Sequence, residues 1–175
     1  MSGDKGSTSA LVPVDSASEV PEVGAREVYD HEKYNTVVRD ADLQAVQLLN
    51  LTFNVDPAFF GDRSKRKLDV NIEHGTNEFD GAKGAAFSFV NIVVSVKRAR
   101  KHTMQCKAEY VVVYENLKGC EETAVKAFLD RVAPFACYPY FRSLFATLDW
   151  AAGTMLPPLP VHKEKSRVEK AGSPF

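Results

Sequence analysis

Two stretches of the chain alternate apolar and polar residues with a period of two. In the first, Leu49, Leu51, Phe53 and Val55 alternate with Asn50, Thr52, Asn54 and Asp56. In the second, Leu68, Val70 and Ile72 alternate with Asp69, Asn71 and Glu73. A period of two is typical of a strand with one face buried. The pattern therefore predicts two half-buried β-strands, from Leu49 to Asp56 and from Leu68 to Glu73.

Two further strands are predicted before the period changes. The third runs from about Ala85 to Lys97, after turn residues at Asp80, Gly81 and Gly84. Its predicted buried face carries Val90, Ile92, Val94 and Val96. The fourth strand has a predicted buried face of Met104, Cys106, Ala108, Tyr110, Val112 and Tyr114. Its predicted solvent face carries Gln105, Lys107, Glu109 and Glu115. Four consecutive strands of this kind predict an antiparallel meander.

Helical spacing replaces the alternation after Glu121. The first helical stretch carries Ala124, Val125, Phe128, Leu129 and Val132 at helical intervals. We expect Pro134 to end this helix and a second helix to begin near Pro139, with Gly153 as its C-cap. The predicted fold class is therefore α+β: a four-stranded antiparallel sheet followed by two C-terminal helices on one side.

The ends of the chain differ in composition from this central part. The N-terminal residues are rich in Ser, Gly, Pro and acids, with no aromatic residue before Tyr29. Such a segment buries too little apolar surface to offset the entropy lost on ordering. We therefore predict a disordered tail over residues 1–36, one folded domain over residues 41–160, and a loose, polar C-terminal tail over residues 161–175.

Net charge, apolar stretches and cysteine content indicate which partners and which cellular compartment to expect. The net charge of −1 gives no strong field for collecting nucleic acid or anionic lipid. The longest apolar stretch, from Ala85 to Val96, is too short to span a bilayer, and no secretory signal is visible. Three scattered cysteines, at Cys106, Cys120 and Cys137, are typical of reduced thiols. A cytoplasmic protein is expected.

No catalytic motif stands out in the chain. It contains no nucleophile elbow, P-loop or zinc-protease motif. His102 and Cys106 are four residues apart on a predicted strand, about 13 Å, which is too far to share a metal ion. We therefore expect no enzyme activity, no cofactor and no metal site.

One stretch partly resembles an RNA-binding motif. Lys83 to Val90 resembles the core of the RNA-recognition motif, but Ala85 and Val90 stand where that motif has aromatic residues. The predicted helices also follow all four strands instead of alternating with them. The basic residues between Lys97 and His102 keep an α+β RNA-binding module as an alternative.

The second predicted helix and the segment that follows it carry more large apolar residues than one helix face needs. They are Tyr140, Phe141, Phe145, Trp150, Met155 and Leu156. An excess of this kind is typical of an oligomer interface or of an adaptable apolar binding site. A larger monomer core is the remaining alternative.

Two short motifs in this region resemble the signature of SecB and SecB-like chaperones. The first is Tyr138-Pro139-Tyr140-Phe141-Arg142, and the second is Gly153-Thr154-Met155-Leu156-Pro157-Pro158-Leu159. Their spacing also fits, and the resemblance covers about Leu43 to Pro160. The residues of these two motifs are most similar to those of the SecB-like branch that serves toxin–antitoxin systems.

The resemblance implies a homotetramer, a dimer of dimers, that holds unfolded clients or preproteins without ATP. Its cellular role would be protein export or, alternatively, protection of an antitoxin. The implied client-binding or assembly residues are Phe59, Phe60, Cys106, Ala108, Tyr110, Tyr140, Phe141, Phe145, Trp150, Met155 and Leu156.

The resemblance also indicates one difference from export-dedicated members. Those proteins dock the translocase ATPase SecA through acidic side chains on the first and fourth strands. The matching positions here are Asn50, Asn54 and Lys107. The segment from His162 to Phe175 carries more basic than acidic residues. We therefore expect weakened SecA docking.

Overall fold

The structure, a computed structural model, describes residues 30–61, 66–98 and 101–163. Its elements, in chain order, are helix α1 (His31–Asp40), strand β1 (Asp42–Val55), a short 3₁₀ helix (Pro57–Phe60), strands β2 (Lys67–Asp80), β3 (Ala85–Arg98) and β4 (Lys101–Glu115), and helix α2 (Glu122–Ala152). The four strands form one antiparallel sheet, and the C-terminal part is helical. The predicted α+β class is confirmed.

The strand order corrects the predicted meander. The order across the sheet is β1-β4-β3-β2, so β1 and β2 are the two edges. β1 pairs with β4, with Leu51 opposite Ala108. The alternation of apolar and polar residues gives the faces of a strand, but not its neighbour. β2 therefore lies at the opposite edge of the sheet from β1, although it is the next strand in the sequence.

β1 is longer than predicted and contains an extra residue. The pairing with β4 shifts between Leu48 and Asn50, which leaves Leu49 as the unpaired residue of a bulge. Leu49, which the alternation predicted on the same face as Leu51, therefore has no partner on β4 and is 50% exposed. A second register shift lies between Leu43 and Ala45. These shifts interrupt the period of two, and for this reason the alternation did not reveal the first half of the strand.

The core lies between the sheet and α2. All the residues predicted for the buried faces of β3 and β4 are buried, which confirms those assignments. Helix α2 covers this face: the ring of Phe128 lies 5.1 Å from that of Tyr114. Near the other end of the sheet, the ring of Phe145 lies 6.5 Å from that of Phe53. The helix therefore runs along one face of the sheet.

The two predicted helical stretches form one continuous helix. Pro134 and Pro139 both lie inside α2, so the predicted break between them is wrong. Each proline lacks an amide hydrogen and removes one helical hydrogen bond. The buried side chains of Ala133, Cys137 and Phe141 pack on the sheet across this region, and their burial holds the helix together. The predicted start at Glu121 and the C-cap at Gly153 are confirmed, since Gly153 has a φ of 62°.

Helix α1 corrects the predicted extent of the N-terminal tail. Residues 31–36 were expected to be disordered, but they belong to α1, and Asp30 caps its first turn by accepting a 2.9 Å hydrogen bond from the Glu32 amide. Val37 is fully buried. The Tyr34 ring lies 6.5 Å from Phe128 on α2. Tertiary contacts with α2 hold this short helix, and its more buried residues Tyr34 and Val37 are three residues apart, at helical spacing.

The remaining tail predictions lie largely outside the described residues. Residues 1–29 and 164–175 are not described, so the predictions for them stay untested. Residues 161–163 have no regular secondary structure, but the ring of His162 lies 4.4 Å from that of Phe135. At His162, the predicted loose tail is therefore packed against α2. Within the described ranges, no helix is long and apolar enough to cross a membrane.

Candidate functional site

The inner face of β1 is an exposed apolar strip. Leu43 and Leu48 lie directly opposite Tyr114 and Tyr110 of β4. The two tyrosines are 4% and 3% exposed, whereas the two leucines are 48% and 41% exposed. The difference arises because α2 covers β4 and leaves most of β1 uncovered. β1 is also an edge strand, so one row of its backbone N–H and C=O groups has no neighbouring strand among the described residues.

A second apolar surface lies at the end of α2. Trp150 is 87% exposed and Met155 is 76% exposed. Together with Asp149, Gly153 and Leu156 they line an open depression of about 560 Å³. We call Trp150 and Met155 the apolar platform. Two large apolar side chains exposed to this extent next to each other are typical of a surface that another molecule covers.

The chain that follows α2 is anchored at both of its ends. Near its start, a side-chain oxygen of Asp149 accepts hydrogen bonds from the Thr154 hydroxyl and, at 3.0 Å, from the Leu156 amide. Near its far end, the Tyr138 hydroxyl donates to the carbonyl oxygen of Pro160 at 2.8 Å. Leu159 is buried in the core between these two points. We call residues 153–160 the exit segment. It returns along α2 instead of leaving the domain.

A groove of about 500 Å³ runs between edge strand β2, helix α2 and the end of the exit segment. Its apolar lining includes Val70, Ile72, Phe135 and Tyr138. Its acidic and basic lining residues are His74, Asp130, Arg131, His162 and Lys163. Burial, and to a smaller extent the nearby His74, lowers the pKa of His162 below its ordinary value. This groove is more polar in character than the apolar platform.

The structure separates the predicted site residues into an exposed and a buried set. The exposed residues are Phe60, Tyr140, Trp150 and Met155, and Leu156 is partly exposed. The buried residues are Phe59, Cys106, Ala108, Tyr110, Phe141 and Phe145. The buried set belongs to the core, and burial raises the pKa of the Cys106 thiol to about 11. Whether any of these residues contacts a client stays a prediction.

Three residues of these surfaces were missed from the sequence. Leu43 and Leu48 lie in the part of β1 where the register shifts hide the alternation. Asp149 precedes the C-cap by four residues, and an acceptor at this position beside Gly153-Thr154 is a signal for a side chain that caps the helix end. In the structure, the Asp149 side chain accepts its hydrogen bonds from Thr154 and Leu156 of the exit segment.

The outer face of the sheet is polar at the three positions that the SecB resemblance relates to SecA docking. Asn50, Asn54 and Lys107 are all exposed on this face, as the alternation predicted. Asn50 lies opposite Glu109, and Thr52 lies opposite Lys107. The face therefore mixes amides with charges of both signs and is not uniformly acidic.

The stretch that resembles an RNA-recognition core lies in the turn before β3 and in β3 itself. Phe87 pairs with Val113, and Phe89 pairs with Val111. Val111 is buried, and the other three residues are partly buried. Val90 belongs to the core. The two phenylalanines therefore lie on the outer face of the sheet, and the RNA-binding alternative stays a prediction. The described ranges hold no cluster of three or more His, Cys, Asp or Glu residues suited to a metal ion.

Comparison with known proteins gives a fold but no sequence family. No protein-family model matches the chain, and no curated protein matches it. Among solved structures, the chain is similar to the Mycobacterium tuberculosis SecB-like chaperone Rv1957 in complex with a ChAD peptide from the antitoxin Rv1956 HigA1. The TM-score is 0.61 with 18% identity, over 76% of this chain and 97% of that chain. The chain therefore has a SecB-like fold.

Proposed function

We propose that this chain is an ATP-independent chaperone of the SecB-like family that holds unfolded proteins through exposed apolar surfaces. The observation that carries the proposal is the apolar platform formed by Trp150 and Met155 at the end of α2. The SecB-like fold supports it, because the similar solved chain is a chaperone bound to a peptide. A holdase needs surface that recognises apolar segments of many sequences, and the polarizable thioether of Met155 adapts to partners of different shape.

The size of the platform indicates that one site alone binds weakly. Burying a large apolar side chain contributes about 1.5–3 kcal/mol, so Trp150 and Met155 together supply about 3–6 kcal/mol before the entropic cost of binding. Micromolar affinity requires about 8 kcal/mol. A holdase with this surface therefore gains from several sites that engage one long client at the same time.

Assembly into a homotetramer would supply those several sites. We propose that the exposed strip of β1 is the part of the chain that pairs with a second copy. Leu43 and Leu48 are apolar, and the free backbone edge beside them offers hydrogen bonds to another strand. A twofold contact of two β1 strands would bury both leucines in each copy. Two such dimers would form the dimer of dimers.

The cellular role that we favour is protection of an antitoxin or a similar dedicated client in the cytoplasm. Two observations favour it over export targeting. The similar solved structure holds a peptide from an antitoxin. The outer sheet face presents Asn50, Asn54 and Lys107 where export-dedicated relatives are expected to carry acids. Export of preproteins remains the second candidate function.

The proposal is tested by suppression of aggregation. A chemically unfolded client is diluted into buffer with or without the chain, and light scattering follows its aggregation in the presence and absence of ATP. We expect slower aggregation at equimolar chain, with no effect of ATP. The double change Trp150→Ala with Met155→Ser should weaken suppression several-fold. Val38→Ser, at an exposed apolar residue of α1, is the matched control and should change nothing. No suppression by the unaltered chain, or suppression only with ATP, contradicts the proposal.

A further inference from the structure

We infer that Asp149 is the positioning residue of the apolar platform: its carboxylate holds Met155 in a strained backbone conformation beside Trp150, and so creates the surface that clients contact. The inference rests on the proposed function and names the residue that controls it. Among the residues that the structure describes after α2, Met155 is the only one other than glycine with a positive φ.

Met155 adopts a conformation that its side chain disfavours. Its φ is 51°, in the left-handed region, where an L-residue brings its Cβ too close to the backbone. Glycine and asparagine are the residues usually found in such positions. Because the side chain is 76% exposed, burial within the chain does little to compensate. The conformation must therefore be imposed by the residues on either side.

Asp149 makes hydrogen bonds on both sides of Met155. One of its side-chain oxygens accepts from the Thr154 hydroxyl and, at 3.0 Å, from the Leu156 amide. Its backbone carbonyl also accepts from the Thr154 amide at 3.1 Å. Thr154 is buried, so the inner side of the turn is fixed against the domain. One residue thus determines the conformation of the three-residue turn from Thr154 to Leu156.

The same residue is adjacent to the other half of the platform. Trp150 follows Asp149 directly in the last turn of α2, and both line the depression that Met155 completes. A turn without these bonds would be free to return Met155 to an ordinary backbone conformation, away from Trp150. The arrangement is typical of strain that the surrounding structure maintains at a functional site. It keeps the platform assembled before a client arrives, which reduces the entropy lost on binding.

Trp150 makes the inference directly measurable, because it is the only tryptophan in the chain. The probe is a synthetic peptide without tryptophan, with leucine and phenylalanine at alternate positions and lysine at both ends. Its binding is followed by the blue shift of Trp150 emission and by protection of Trp150 from acrylamide. The variants are Asp149→Ala, Asp149→Asn and Met155→Asn.

We expect Asp149→Ala to weaken peptide binding at least fivefold. Asp149→Asn should stay within twofold of the unaltered chain, because the amide oxygen still accepts both hydrogen bonds. Met155→Asn should also weaken binding several-fold while the melting temperature stays equal or rises, because asparagine tolerates the left-handed conformation. A further control adds Asp149→Ala to the double variant Trp150→Ala with Met155→Asn, which lacks both residues of the platform. Peptide binding by this double variant, measured by calorimetry, should not change when Asp149→Ala is added, since coupled residues give non-additive effects.

The outcomes separate this inference from the proposed function. If the unaltered chain suppresses aggregation and Asp149→Ala binds the peptide as well as the unaltered chain does, the inference alone is overturned. It is also overturned if Asp149→Ala and Asp149→Asn weaken binding equally with an equal loss of melting temperature, because the role of Asp149 is then structural. If the unaltered chain neither suppresses aggregation nor binds the peptide, the proposed function fails and the inference fails with it.

Discussion

The hydroxyl of Tyr138 on α2 donates a 2.8 Å hydrogen bond to the carbonyl oxygen of Pro160, 22 residues farther along the chain. This bond fastens the exit segment to the helix that it leaves. We expect Tyr138→Phe to lower the free energy of unfolding by about 1 kcal/mol, which is typical of one lost hydrogen bond. The change should be local. Hydrogen exchange should speed up at residues 156–163 and stay unchanged in β3 and β4, whereas a uniform change across the sheet would contradict the assignment.

The same bond predicts a dependence on alkaline pH. Burial raises the pKa of Tyr138, and the nearby Arg142 opposes this effect only in part. Because the pKa of Tyr138 is higher in the folded state than in the unfolded state, the neutral phenol stabilises the fold. This contribution is fully present below about pH 10, the ordinary pKa of tyrosine, and it is lost as the pH rises through the raised pKa. Tyr138→Phe should reduce the loss of stability above that pH, measured by urea unfolding.

Pro139 is exposed and lies in the interior of α2. Its ring leaves the carbonyl oxygen of Phe135 without the usual helical donor. Pro139→Ala restores that donor, so the free energy of unfolding should rise by about 1–2 kcal/mol, less than the full interior cost of proline because proline also restricts the unfolded chain. Ser143→Ala on the same helix is the control and should change stability by about 0.5 kcal/mol or less. No gain over this control would mean that Phe135 already has another donor.

The strip of β1 predicts the assembly state. Size exclusion with light scattering should give a tetramer for the unaltered chain at micromolar concentration. The double change Leu43→Ser with Leu48→Ser removes the exposed apolar side chains from the proposed contact, and it should shift the mass toward the monomer. Val38→Ser serves as the control at an exposed residue elsewhere. A strict monomer for the unaltered chain would rule out the proposed assembly.

Two N-terminal deletions should differ sharply. Removing residues 1–29 leaves the Asp30 cap and all of α1 in place, so the melting temperature should change by less than about 2 °C. Removing residues 1–40 also removes Val37, which is fully buried. Burying such a side chain contributes about 1.5–3 kcal/mol, so a loss of about 5 °C or more is expected. Equal losses for both deletions would show that the first 29 residues carry a structural contact.

SecA binding tests the polar outer face of the sheet. We expect the unaltered chain to bind SecA weakly, and Asn50→Asp with Lys107→Glu to strengthen binding in a way that falls with added salt. Since Asn50 lies opposite Glu109, the new carboxylate should also lower stability by a few tenths of a kcal/mol. Lys118→Glu reverses a charge at an exposed position of the loop before α2 and is the control. Tight, salt-insensitive binding by the unaltered chain would favour the export role.

Local patterns in the sequence were sufficient for the class of fold and for much of the core. The buried faces of β3 and β4 followed from the alternation, because both strands are covered on one side along their length. Glu121 and Gly153 bounded α2 correctly because helix ends have local chemical requirements. The motifs around Pro139 and Leu156 indicated the SecB-like fold, which the structural comparison then confirmed.

Only the tertiary structure decided how these elements come together. The continuity of α2 through Pro134 depends on packing against the sheet, which outweighs the hydrogen bond that the proline removes. The position of β1 beside β4, and the exposure of Leu48 next to the buried Tyr110, depend on where α2 lies across the strands. The strained turn at Met155 exists because Asp149 reaches two donors beyond the end of its helix. These features are set by contacts between residues distant in the sequence or beyond one helical turn, and no local periodicity records them.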